Sequence, residues 1–163
     1  MSALYQQQQA LLERQLQILA RLDQGIRYSL ARLPDPLRPE DLKNPDVAER
    51  IASLNDRCTK LQDQLAGALR HAHGMLGERY RSYADVVDWA VQQDIVSTPQ
   101  VWMELRALRN RLTHDYDLEA EVTVEIVEAM RNSVENLAGI IRRFTALCVQ
   151  RGLLPAASAP GSQ

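Results

Sequence analysis

Proline interrupts a helix interior because it has no amide donor and its ring strikes the preceding turn. The seven prolines of this chain are placed so that most of it stays free of them. Pro34, Pro36, Pro39 and Pro45 share one short connection, and Pro99, Pro155 and Pro160 stand apart. The long proline-free runs on either side of 34–45 are open to long helices. With seven glycines and an aromatic share of 5%, turn formers and β-formers are scarce, and the abundant Leu, Ala, Gln, Glu and Arg favour helix. The expected fold class is all-α, an up-and-down helical bundle of four to five helices, in one domain over 1–152.

Apolar spacing gives the same plan. Leu12, Leu16, Leu19, Leu22, Ile26, Leu30 and Leu33 recur in steps of three and four, which predicts a long N-terminal helix over 3–33. Asn44 and Pro45 form an N-cap and first-turn pair, starting a second helix whose row runs Ile51, Leu54, Cys58, Leu61, Leu65, Ala68, Ala72, Met75 and stops near Gly74 and Gly77. Ser82 with Asp85 reads as a capping box ahead of a short helix carrying Val86, Trp89 and Ala90. Thr98 and Pro99 cap a fourth helix with Val101, Leu105, Leu108 and Leu112. Weak helix formers over 113–122 predict a bend, after which Val127 to Cys148 mark a closing helix that ends near Gly152. The small polar residues of 153–163 read as a disordered tail.

A net charge of -2 gives no general attraction to nucleic acid, so a phosphate ligand would have to meet a local patch. Cys58 and Cys148 fall in apolar rows and read as core residues of a reducing compartment. No apolar run reaches the roughly 20 residues that span a bilayer, and MSALYQQQQ lacks the basic-then-apolar order of a secretory signal. The expectation is a cytoplasmic protein without a membrane partner.

The densest polar stretch is Arg106-Ala107-Leu108-Arg109-Asn110-Arg111-Leu112-Thr113-His114-Asp115-Tyr116-Asp117. Asn110 and His114 are four apart, with Arg106 one turn earlier on the same helical face. Arg109 lies about 140° around an ideal helix from His114. Either the helix breaks before His114, or two chains contribute to one site. One reading is a solvated face in which the arginines meet Glu104 and Asp115 while His114 caps the helix end. The other is a phosphate site: arginine offers a fixed fork of donors, and an imidazole titrates near neutral pH.

The string RNRLTHDY, with Arg109, His114 and Tyr116 in R-x4-H-x-Y order, resembles the signature of the HEPN superfamily, particularly HepT-like ribonuclease toxins. The sequence of a turn, a short helix, a capped helix bearing the signature and a long closing helix is similar to that family from about Ile51 to Leu147. The resemblance implies a metal-independent endoribonuclease toxin, a hydrolase paired with a nucleotidyltransferase-type antitoxin and needing no cofactor. It implies a homodimer that brings two copies of Arg109 and His114 into one cleft, His114 in proton transfer and Arg109 stabilising the phosphate. RNA supplies its own 2′-hydroxyl nucleophile, so proton transfer and charge stabilisation suffice. Asn110 would support the site, Arg106 and Arg111 would bind RNA, and Tyr116 would be the residue that receives AMP. The same superfamily includes non-catalytic HEPN partners of nucleotidyltransferases that bind a nucleotide or substrate, and this alternative stays open.

Other motifs are weaker. His71 and His73, two apart, point to different helical faces and read as surface residues, not metal ligands. Asp115 and Asp117 lack a third ligand for magnesium. Trp89 and Trp102 read as core or interface anchors. Arg79 and Arg81 flank Tyr80 in a loop, a pattern compatible with an RNA groove or with plain exposure.

Overall fold

A computed structural model describes residues 2–115 and 119–156. The Ser2 hydroxyl accepts from Tyr5 N and opens helix α1, Ala3–Ala31, whose inward stripe is Leu12, Leu19, Ile26 and Leu30. The helix stops short of the expected Leu33 because a residue preceding proline is driven out of the helical region; Leu33 is nevertheless buried. The proline-rich connection is packed. Leu37 is buried, and a short 3-10 helix over Pro39–Lys43 is capped by the Asp41 carboxylate, which accepts from Arg38 N at 2.8 Å.

Asn44 Oδ1 accepts from Asp46 N at 2.9 Å and starts helix α2, Pro45–Met75. Gly77 ends it in the left-handed region at φ 73°, where a side chain would be strained. The predicted capping box of Ser82 and Asp85 forms at the head of α3, Tyr83–Gln92. Thr98 caps α4, Pro99–His114. Helix α5, Ala120–Gln150, closes the fold, so the interruption after α4 is narrower than the expected 113–122 bend.

Side-chain ties fix the directions. Gln15 meets His71 and Arg50 meets Arg32 O, so α1 and α2 run antiparallel. Arg27 with Glu135 and Gln9 with Leu154 set α1 antiparallel to α5, and Arg111 with Glu125 sets α4 antiparallel to α5. Helices α1, α2, α4 and α5 form a closed ring, with α3 bridging α2 and α4 at one end. Among the described residues there is no strand, and the fold is the all-α up-and-down bundle. Leu12, Leu54, Leu61, Ile126, Ile140 and Phe144 have no exposure and fill the core. The ends of α1 and α4 and the starts of α2 and α5 share one end of the bundle.

The expected disordered tail does not begin at 153. Leu153 is buried, and Gln9 Nε2 donates to Gly152 O at 3.2 Å and Leu154 O at 3.1 Å. Burial of one leucine and two hydrogen bonds hold this turn against α1; residues 157–163 of the tail lie outside the described residues. Among the described residues, no helix is long and apolar enough to cross a membrane.

Candidate functional site

Helix α4 buries Trp102, Leu105, Leu108 and Leu112, a stripe that turns Arg106 and Arg109 to the seam with α2. There they meet Asp63, which spacing did not single out. Arg109 donates from Nε to Asp63 Oδ1 at 3.1 Å and from Nη2 to Oδ2 at 2.9 Å, the bidentate geometry favoured by guanidinium and carboxylate. Arg106 Nη1 reaches the same Oδ1 at 3.5 Å. Arg109 Nη1 also donates to Thr113 Oγ1 at 3.3 Å. Three of its five donors are then used, leaving one N–H on each terminal nitrogen of the fork.

Paired with Arg109, Asp63 sits below its ordinary carboxylate range, and Arg109 is held above its ordinary value by the same contact. Both partners remain partly solvated, with 23% of the Arg109 side chain and 46% of Asp63 exposed. The pair therefore orients the arginine more than it stabilises the fold.

The helix does not break before His114, which is its last residue. Asn110 and His114 are exposed and make no side-chain hydrogen bond among the described residues. Arg106 was expected beside them; its longer side chain turns instead to the Asp63 carboxylate. Arg111 turns the other way and reaches Glu125 of α5 at 3.4 Å. The acids that meet the arginines thus come from α2 and α5, not from the sequence neighbours Glu104 and Asp115. Within one chain, Arg106 and Arg109 come together on Asp63, whereas Asn110 and His114 are exposed to solvent. Tyr116 and Asp117 lie outside the described residues.

Of the other histidines, His73 corrects the surface expectation. It is buried, with Trp89 and Tyr80 edge-on at 5.6 and 6.3 Å between ring centroids, because its position on α2 faces the short α3. His71 is half-buried against Gln15 Oε1 at 2.9 Å, and burial lowers its pKa. No group of three His, Cys, Asp or Glu capable of holding a metal occurs among the described residues. Cys58 and Cys148 are buried free thiols, each pushed up to about 12 by desolvation. Trp89 and Trp102 are buried, Trp102 stacked on Tyr83. Arg81 pairs with Asp85, and Tyr80 lies under Arg70.

A scan against protein-family models returns no match to the chain, and a search of curated proteins returns none.

Proposed function

We propose that the chain is a HEPN-type, metal-independent endoribonuclease, the toxin of a toxin–antitoxin pair with a nucleotidyltransferase. One observation carries this reading: Arg109 is oriented by a bidentate carboxylate while His114, on the same unbroken helix, is exposed and makes no side-chain hydrogen bond among the described residues. An arginine held in place with donors to spare suits a phosphate, and an exposed imidazole suits proton transfer. The RNA 2′-hydroxyl attacks the adjacent phosphorus, the 5′-oxygen leaves with a proton, and the products are a 2′,3′-cyclic phosphate and a 5′-hydroxyl. Because the two side chains diverge by about 140° on one helix, a two-fold homodimer supplies Arg109 of one protomer and His114 of its partner to each cleft. Asn110 holds the imidazole or backbone in register, Arg106 and Arg111 add RNA affinity, and Tyr116 is the proposed AMP acceptor through which the antitoxin silences the cleft.

The test is incubation of the full chain with RNA in EDTA. Cleavage that is lost in His114→Ala and Arg109→Ala is expected; full activity in both variants, with the fold intact, removes the mechanism.

The alternative, a non-catalytic nucleotide- or substrate-binding HEPN partner of a nucleotidyltransferase, is favoured by the same ion pair, since Asp63 already compensates the Arg109 charge. Specific capture of the transferase with no cleavage would select it.

A further inference from the structure

A second cluster of arginines lies on the other seam of α2, away from the signature. Near the end of α1 and the start of α2, Tyr28, Arg32, Asp46, Glu49, Arg50 and Arg57 line an open groove of about 310 Å³. The arginines there bond only to neutral acceptors. Arg57 Nη1 donates to Gly25 O at 2.9 Å and to the buried Ser29 Oγ at 2.6 Å, and Arg50 Nη1 donates to Arg32 O at 2.9 Å. Arg32 donates to Tyr28 Oη at 2.7 Å and lies over its ring. Among the described residues, no carboxylate forms an ion pair with these three guanidinium groups, although Asp46 and Glu49 share the groove.

Arg57 is built in. A Cβ on Gly25 would stand 2.9 Å from its Nε, so the Arg57 side chain lies close against α1 and would have to shift if Gly25 carried a side chain. Arg57 is half-buried and, among the described residues, forms no ion pair, so a bound anion would add charge-assisted hydrogen bonds to those it makes with neutral oxygens. From these observations we infer that the groove between α1 and α2 is a binding site for a nucleoside phosphate, either free or as one unit of an RNA strand. Arg57, Arg50 and Arg32 take the phosphate oxygens. The exposed Tyr28 ring offers a stacking face for the base. Asp46 and Glu49 would repel a bare anion, but they accept from ribose hydroxyls and exocyclic amines, which distinguishes a nucleotide from phosphate alone. The inference stands independently of cleavage at α4.

The test is calorimetric titration of the full chain with AMP, adenosine, inorganic phosphate and a 2′-O-methyl RNA decamer, which has no free 2′-hydroxyl to attack. AMP and the decamer are expected to bind and adenosine is not. Affinity should fall about tenfold or more in Arg50→Gln/Arg57→Gln, the loss expected when charge-assisted hydrogen bonds are removed. Since Arg57 packs between helices, Tyr28→Ala provides a variant at an exposed ring, and Gly25→Ala displaces the guanidinium without changing any charge; both should weaken AMP binding, with circular dichroism confirming the fold. A decamer that binds more tightly than AMP identifies a strand as the source, and the reverse order identifies a free nucleotide. Absence of binding by every probe, AMP affinity unchanged in all three variants, or inorganic phosphate binding as tightly as AMP would overturn the proposal and leave the arginines as ties between helices only.

Discussion

Arginine joins helices at both seams of α2, through acceptors of different kinds. On the α1 side, Arg57 and Arg50 bond to carbonyl and hydroxyl oxygens, which satisfy donors but leave the positive charge intact. On the α4 side, Arg106 and Arg109 share one carboxylate, which satisfies donors and offsets one of the two positive charges. Neutral acceptors make a tie that still attracts an anion. A carboxylate makes a tie that an incoming phosphate must compete with or share.

The proposed chemistry draws on residues outside the core, and the widest effects should show it. Leu54→Ala, at a position of α2 with no exposure, should destabilise the fold by about 2–5 kcal/mol in denaturant unfolding. His114→Ala and Arg109→Ala should instead cost RNA cleavage about 10²-fold or more, the loss seen when a preorganised charge donor is removed, while leaving the melting temperature nearly unchanged. A large drop in melting temperature for His114→Ala would break this contrast, because its side chain is exposed.

Asp63 sharpens the contrast. Asp63→Asn should change stability by no more than about 1 kcal/mol, as for other exposed ion pairs. It should lower KM for RNA, since a repelling charge is removed, and lower kcat about tenfold, since Arg109 loses its orientation. Steady-state kinetics separate the two, and a kcat that does not move would make Asp63 a surface partner only. The Asp63 pKa is lower in the folded chain than its ordinary carboxylate value, so its stabilising share is complete above that ordinary value, declines as pH falls below it, and is lost once pH has fallen through the folded pKa.

The smallest effect concerns His71. Its folded pKa lies below the ordinary 6.5 because burial disfavours the imidazolium. Stability is therefore full above that ordinary value and declines as pH falls below it towards the folded pKa. Melting temperatures between about pH 7.5 and 5.5 should show this decline, and His71→Gln should flatten it.

Helix limits were legible because caps, prolines and glycines act locally: Asn44 with Pro45, Thr98 with Pro99 and Ser82 with Asp85 mark starts, and Gly77 and Gly152 mark stops. Contacts between helices were less so. Asp63 lies 46 residues from Arg109 and off the apolar row of α2, so no spacing rule connects them. His73 looked solvated because its burial depends on Trp89, from a helix whose docking the pattern does not reveal. The Arg109 to His114 spacing was legible, while the directions of Arg106 and Arg111 depend on acids in α2 and α5.

The amide of Gln9 makes the opening of two distant segments one event. Its side chain is buried and bridges the carbonyls of Gly152 and Leu154, and the Tyr5 hydroxyl reaches Gly152 O at 3.5 Å one turn earlier. Fraying of the first turns of α1 must release the segment after α5, and peeling that segment away must leave the Gln9 amide without acceptors. The two should exchange their backbone amides with solvent at a common rate, as one cooperative unit, although more than 140 residues of chain lie between them.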